Sequence, residues 1–128
     1  MAVPAGRVVY TQWLNPRGGI EADLTVTRLA EDRYMVVTAG ANATRDLCWL
    51  TRNIAEGEHC VVTDVSSGFA TLGLMGPKSR ELLSALTRTD LSNEAFPFGT
   101  SQEIEIGYAK VRALRITYVG ELLSLIHI

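Results

Sequence analysis

An aromatic ring and a carboxylate near the start of the chain are the side chains best suited to chemistry. If Leu14 pairs with Gly19 across the intervening four-residue turn, Tyr10 lies directly opposite Asp23 in an antiparallel hairpin. Directly opposed residues share a face of the sheet, with Cβ atoms about 4.5–5.5 Å apart. Such a pair suits a flat, nitrogen-rich heterocycle, because the ring stacks on it while the carboxylate accepts its N–H bonds. From spacing alone, a solvated polar face is the competing interpretation of Asp23.

Other catalytic arrangements find little support in the sequence. It contains no GxxxxGK[ST] phosphate loop and no GxGxxG motif, and no serine lies in a GxSxG elbow. The two histidines, His59 and His127, are too few and too far apart to indicate a metal site. Cys48 and Cys60 lack CxxC and disulfide-framework spacing, so we expect buried free thiols in a reducing compartment. A carboxylate acting as a base or an electrostatic anchor is therefore the catalytic group that the sequence favours.

The composition indicates one folded domain. The chain has 128 residues, of which 47% are hydrophobic and 20% charged, and domains commonly contain about 100–150 residues. The formal net charge of −2 predicts no basic face for nucleic acid or for an anionic membrane surface. No apolar run approaches the roughly 20 residues that cross a bilayer, and the first residues do not resemble a secretory signal.

Short elements separated by turn residues predict an α+β fold, with a largely antiparallel sheet and two helices. A helix is expected over residues 42–54, with Asn42 as its N-cap and Asp46 on its solvent side. A second helix begins at Gly76-Pro77, with Leu82, Leu83 and Leu86 on its apolar side. The predicted strands cover residues 7–14, 20–29, 34–38, 59–65, 69–75, 102–106 and 111–119.

Four segments resemble the aminomethyltransferase family, the glycine-cleavage T-protein group. The segment YTQWLNPRGGIEADLTVTRL, residues 10–29, is similar to the Y-x-x-x-L-N-x-x-G-G-I-x-x-D signature, and LGLMGPKSRELL, residues 72–83, is similar to a second signature. DLSNEAFPFGT and VRALRITYVGEL, residues 90–100 and 111–122, more closely resemble the C-terminal part of sarcosine and dimethylglycine dehydrogenases. The resemblance covers residues from about 6 to 122 and implies a partial aminomethyltransferase-type, folate-binding domain over residues 1–122.

The resemblance also implies a tetrahydrofolate site and assigns residues to it. The carboxylate that ends the GGIxxD segment is the main catalytic group of the family, which corresponds to Asp23. The aromatic residue before the turn and the tyrosine of the Y-x-G-E segment line the folate site, which corresponds to Tyr10 and Tyr118. No metal ligand is implied. With the resemblance added, we interpret Asp23 as functional rather than as part of a solvated face.

In the proteins that the chain resembles, a flavin domain oxidises an N-methyl amine to an iminium, and tetrahydrofolate captures the one-carbon unit as methylenetetrahydrofolate. The chain contains no flavin motif, so the resemblance places FAD in an N-terminal domain in cis that is missing from this sequence. The implied location is the cytoplasm of a bacterium or the mitochondrial matrix of a eukaryote. Two alternatives stay open, a stand-alone glycine-cleavage T-protein and a non-catalytic regulatory module with the same fold.

The sequence departs from the family pattern at three positions. Ala39 replaces an asparagine that often contacts folate, Leu123 replaces a glycine, and Leu125 replaces a glutamate that binds the pterin ring. We therefore interpret residues 123–128 as an atypical tail that is not native to the domain. We expect the 128-residue chain alone to bind tetrahydrofolate weakly or not at all and to be inactive.

Overall fold

The computed structural model describes residues 2–117, together with the backbone of residues 123–127. In this part of the chain, all strand pairs of the two sheets are antiparallel. The predicted α+β class, with a largely antiparallel sheet and two helices, is therefore confirmed. The elements are β1 (Val8–Leu14), β2 (Ile20–Arg28), β3 (Tyr34–Val37), α1 (Ala43–Arg52), β4 (Thr71–Met75), α2 (Ser79–Ser84), β5 (Thr100–Ile106), β6 (Ala109–Ile116) and β7 (Leu123–His127), with short 3-10 turns at Gly40–Asn42 and Ser66–Gly68.

The first sheet has the order β1-β2-β3, and one of its faces changes character along the strands. Far from the β1–β2 turn, Thr27 is fully buried and lies opposite Val8. Val8 packs against Leu114 and Ile116 of β6. Nearer the turn on the same strand, Asp23 is exposed. This face is thus covered at one end and open to solvent at the other.

The second sheet has the order β4-β7-β6-β5 and joins the first sheet where β1 and β5 begin. The amide of Ser101 donates to the carbonyl of Gly6 at 2.7 Å, and the amide of Val8 donates to the carbonyl of Gly99 at 2.8 Å. Gly6 has a φ of +84°, a conformation that residues with a Cβ rarely adopt. These backbone bonds place the start of β1 against the second sheet.

The strand β7 was not among the predicted elements. Its backbone pairs with β4 on one side and with β6 on the other. The alternation and turn signals used for the other strands are missing from the continuous run LLSLIHI. Its place in the sheet depends on pairing with a strand about fifty residues earlier, which local sequence patterns do not report.

The main core lies between α2, the loop before β5 and the β5–β6 hairpin. A network of three side chains anchors this loop. The guanidinium of Arg115 donates to the carbonyl of Phe96 at 2.5 Å and to Oδ1 of Asn93 at 2.6 Å, and Arg80 of α2 donates to the same Oδ1 at 2.6 Å. Burial, with the nearby positive charge of Arg80, lowers the pKa of Arg115, and Glu94 partly offsets the effect. The buried core residues are Leu83, Leu91, Phe96, Ile104, Val111 and Ala113.

The strand predicted over residues 59–65 is wrong. This segment forms no ladder, and Val61 is 80% exposed. It ends in a turn in which Oδ1 of Asp64 accepts the amide of Ser66 at 2.9 Å. Hydrogen bonds from the Ser66 side chain and from its backbone amide lower the pKa of the Asp64 carboxyl. A segment with β-branched residues stays irregular where no neighbouring strand pairs with it, because strand propensity depends mainly on cross-strand packing.

The expected burial of several side chains is also wrong. Cys48 and Cys60 are free but exposed. Cys48 lies on the exposed side of α1, three residues after the exposed Arg45. Cys60 lies in the irregular segment of residues 59–65. Leu82 and Leu86 are 54% and 53% exposed, because α2 ends at Ser84 and buries chiefly Leu83 and Ser79.

Candidate functional site

The β1–β2 turn is built around the side chain of Asn15. Its Oδ1 accepts the amides of Arg17 and Gly19, each at 3.0 Å, and its Nδ2 donates to Oε1 of Glu21 at 2.9 Å. Gly18 has a φ of +79°, which favours glycine. A Cβ on Gly19 would lie 2.8 Å from Nδ2 of Asn15. The asparagine and both glycines of the segment NPRGGI are therefore requirements of this turn.

The hairpin register differs from the predicted register. Tyr10 lies opposite Thr25, and Gln12 lies opposite Asp23. The direct opposition of Tyr10 and Asp23 is therefore wrong. The observed pairing is displaced by two residues from the predicted pairing. Because successive side chains of a strand alternate between faces, an even displacement keeps each side chain on its predicted face. Tyr10 and Asp23 therefore remain on the same face, as the sequence predicted, and are diagonal neighbours.

Two local features produce this displacement. The turn closes with the amide of Asn15 donating to the carbonyl of Gly19 at 2.8 Å, one residue beyond the Leu14–Gly19 pair that was assumed. A bulge follows, because Trp13 pairs with Ala22 while Leu14 pairs with Ile20. The bulge leaves Glu21 as an extra residue without a partner on β1. Each feature shifts the pairing by one residue.

Tyr10 and Asp23 form a hydrogen-bonded pair on the open part of this face. The hydroxyl of Tyr10 donates to Oδ2 of Asp23 at 2.7 Å, and Nε2 of Gln12 lies 3.4 Å from the same hydroxyl. Tyr10 is 61% exposed, and Asp23 is exposed too. Within the described residues, Oδ1 of Asp23 has no hydrogen-bond donor. The arrangement presents an aromatic surface beside a carboxylate oxygen that is open to an N–H donor.

Helix α1 is attached to this hairpin through polar contacts that the sequence analysis did not predict. The guanidinium of Arg45 donates to the backbone carbonyl of Glu21, the extra residue of the bulge. It also forms an ion pair with Asp46 at 3.2 Å. Asp46 is only 3% exposed and accepts the hydroxyl of Thr38 at 2.5 Å. The expectation that Asp46 faces solvent is therefore wrong, because this carboxylate has two donors that compensate for its burial.

The remaining sequence-predicted positions do not join this group in the described structure. Tyr118 lies outside the described residues. Ala39, which replaces a family asparagine, precedes the 3-10 turn Gly40–Asn42. Asn42 stands at the N-cap position of α1, as predicted, but its side chain makes no capping bond. Sequence reasoning missed Gln12, although its position two residues after Tyr10 places both on one face of a strand.

The described residues contain no group of three His, Cys, Asp or Glu side chains arranged to hold a metal ion. Across the same part of the chain, no helix has both the length and the apolar character needed to cross a membrane.

Comparison with known proteins identifies the family to which the chain is similar. Residues 1–123 match the family model described as the GCVT N-terminal domain. The 4-methylaminobutanoate oxidase (formaldehyde-forming) of Paenarthrobacter nicotinovorans is 43% identical over 120 residues, which cover 94% of this chain and 14% of that protein. The mitochondrial sarcosine dehydrogenase of Mus musculus is 39% identical over 133 residues, which cover 93% of this chain and 14% of that protein.

A solved structure shows the same architecture. The glycine cleavage system aminomethyltransferase T from Bartonella henselae superposes with a TM-score of 0.81 at 30% sequence identity. The match covers 99% of this chain and 33% of that one. The chain thus spans about a third of this structural relative and 14% of the two oxidising relatives.

Proposed function

The chain belongs to the GCVT N-terminal domain family, and on that premise we propose that it binds tetrahydrofolate and serves an N-methyl amine-oxidising protein similar to sarcosine and dimethylglycine dehydrogenases. The observation that carries the proposal is the exposed pair formed by Tyr10 and Asp23, joined at 2.7 Å. Family membership indicates aminomethyltransferase-type chemistry, and the pair supplies the two groups that such a site needs.

The residues present fit a reduced pterin. Tetrahydrofolate, when bound, supplies the nitrogen atoms that take up the one-carbon unit. Asp23 offers Oδ1 as an acceptor for an N–H group, while Oδ2 is held by the Tyr10 hydroxyl. A carboxylate fixed in this way would orient the reacting N–H group of tetrahydrofolate and accept its proton, which is general base catalysis. The exposed ring of Tyr10 offers a flat apolar surface beside the carboxylate.

We propose Tyr118 as a further residue of the folate site, on the family resemblance alone. We also propose that FAD binds in an N-terminal domain in cis. We further propose that the protein resides in a reducing compartment, which is either the bacterial cytoplasm or the mitochondrial matrix. The mouse relative is named as a mitochondrial protein. The free state of Cys48 and Cys60 supports a reducing compartment for this chain.

The names of the two oxidising relatives support a substrate class. Sarcosine and 4-methylaminobutanoate are both N-methylated amino acids, so oxidation of the N-methyl group gives an iminium at the same carbon. One relative is named as formaldehyde-forming. Formaldehyde forms when water hydrolyses the iminium and releases that carbon. We propose that this domain diverts the carbon from water to tetrahydrofolate.

The test measures how the one-carbon product divides between formaldehyde and methylenetetrahydrofolate. The protein tested is the proposed parent, flavin domain included, supplied with an N-methyl amino acid and tetrahydrofolate. Asp23→Asn should reduce methylenetetrahydrofolate formation by about 10²–10⁴-fold while amine oxidation continues and formaldehyde rises. The matched control is Asp32→Asn, the same change at an exposed position in the β2–β3 turn, which should leave the division unchanged. Folate-dependent turnover of Asp23→Asn within twofold of wild type refutes the assignment.

The structural match to aminomethyltransferase T supports a second candidate, a T-protein of the glycine cleavage system. In that case Asp23 and Tyr10 would act on an aminomethyl group bound to a lipoyl carrier. Transfer from that carrier without any oxidation of N-methyl amines would favour this candidate. A protein that binds no tetrahydrofolate and performs neither reaction would favour a regulatory module with the same fold.

A further inference from the structure

Gln12 is the residue that lies directly opposite Asp23 in the hairpin, and its Nε2 lies 3.4 Å from the Tyr10 hydroxyl. We propose that Gln12 is a positioning residue of the folate site, which directs the Tyr10 hydroxyl proton to Asp23 and so keeps the other carboxylate oxygen available to the ligand. The inference rests on the proposed function, because it deepens the role of the same site.

The argument starts from the single proton of the tyrosine hydroxyl. This proton lies in the 2.7 Å bond to Oδ2 of Asp23, so the hydroxyl oxygen can only accept from any other neighbour. The amide group of Gln12 that faces this oxygen must therefore be the donating nitrogen. The donated bond in turn disfavours rotation of the hydroxyl away from Asp23. The order of donation is thus Gln12 to Tyr10 to Asp23.

The geometry explains why this task falls to residue 12. Directly opposed residues have the closest Cβ atoms between two strands, and Gln12 is the β1 residue directly opposite Asp23. Gln12 and Tyr10 are two residues apart and share the face. An apolar side chain of similar length would fill the same space without donating to the hydroxyl. The contact is long for a hydrogen bond, so we expect a moderate effect on ligand binding.

The test is a double-mutant cycle on the proposed parent protein, with tetrahydrofolate as the probe and calorimetry under anaerobic conditions as the readout. The variants are Gln12→Met, Tyr10→Phe and the double variant. Gln12→Met should raise the Kd about 2- to 10-fold, the loss expected from one neutral hydrogen bond. In the Tyr10→Phe background the same change should have no effect, because the hydroxyl through which Gln12 acts is gone.

Further measurements separate a positioning role from a structural one. Gln12→Met should raise the KM for tetrahydrofolate more than it lowers the kcat of methylenetetrahydrofolate formation. Gln12→Glu keeps the shape but, when ionised, cannot donate and opposes Asp23 with a like charge, so it should weaken binding more than Gln12→Met. Gln102→Met, the same change in β5, serves as the matched control and should leave the Kd unchanged.

The outcomes distinguish this inference from the proposed function. If Asp23→Asn and Tyr10→Phe weaken binding but Gln12→Met does not, the role of Gln12 is refuted and the folate site stands. An equal effect of Gln12→Met in both backgrounds also refutes it, because Gln12 would then not act through Tyr10. If neither Asp23→Asn nor Tyr10→Phe changes the Kd, the proposed function itself fails.

Discussion

Replacing Gly19 by alanine should destabilise the hairpin that carries Tyr10 and Asp23, and the loss should depend on Asn15. A Cβ at position 19 would lie 2.8 Å from Nδ2 of Asn15, closer than carbon and nitrogen can approach. The asparagine side chain must therefore rotate away. The backbone at Gly19 does not have a positive φ, so alanine meets no conformational penalty there beyond this contact.

The size of the loss follows from the bonds that the rotation breaks. Asn15 makes three side-chain hydrogen bonds, to the amides of Arg17 and Gly19 and to Glu21. A typical hydrogen bond contributes about 0.5–1.5 kcal/mol net, and water replaces part of each exposed bond. We expect Gly19→Ala and Asn15→Ala each to lower the free energy of unfolding by about 1–3 kcal/mol. The double variant should lose about as much as either single variant, because the same bonds are removed once.

The assay is urea denaturation of the 128-residue chain, followed by circular dichroism and by tryptophan fluorescence, to which Trp13 in β1 beside the turn and Trp49 in α1 contribute. Gly18→Ala serves as the control. Its cost comes from the φ of +79°, with no atom within 4 Å of the added Cβ, so it should be the same with Asn15 or Ala at position 15. An equal cost of Gly19→Ala in both backgrounds would refute the reasoning, because the steric conflict would then not involve Asn15.

Three further predictions follow from other parts of the molecule. Asp46→Ala should lower the free energy of unfolding by about 1–3 kcal/mol, because it leaves the half-buried Thr38 hydroxyl without its acceptor; urea midpoints check this, and an unchanged midpoint contradicts it. Hydrogen bonds from Ser92 lower the pKa of Asp90 below its ordinary value of 3.8, so the stability that wild type gains over Asp90→Ala should be present above pH 3.8 and disappear as the pH falls through the lowered pKa. A stability difference that grows on acidification would contradict this sign. Leu125→Glu should tighten tetrahydrofolate binding roughly 10- to 100-fold by calorimetry, since the resemblance places a pterin-binding glutamate there; an unchanged Kd would show that the departure at this position is harmless.

Much of the first hairpin could be predicted from the sequence, because its determinants are local. Alternation of polar and apolar residues located β2, and the segment NPRGGI located the turn. The shared face of Tyr10 and Asp23 depends only on whether the register is displaced by an even number of residues. The prediction that Tyr10 and Asp23 share a face is therefore correct, although the predicted register is wrong by two residues.

The attachment of α1 to the hairpin and the burial of Asp46 depended on contacts with residues outside the helix. The bulge at Glu21 frees a backbone carbonyl, and Arg45 of α1 supplies the donor that satisfies it. Asp46 is buried because Thr38 and Arg45 compensate its charge. No periodicity reports the Arg45–Glu21 and Asp46–Thr38 bonds, since each joins α1 to a residue outside the helix.

Outside the hairpin, strand formation likewise depends on both local sequence and the neighbours that the fold supplies. Residues 59–65 have strand-forming side chains and stay irregular, whereas β7 forms between β4 and β6 without an alternating pattern. The sequence by itself determined which segments are able to form strands, where the turns lie and which side chains share the face with Asp23. Only the tertiary structure decided which strands find partners and which polar groups are buried, because a hydrogen-bond ladder or a compensated charge requires a second element brought close by the fold.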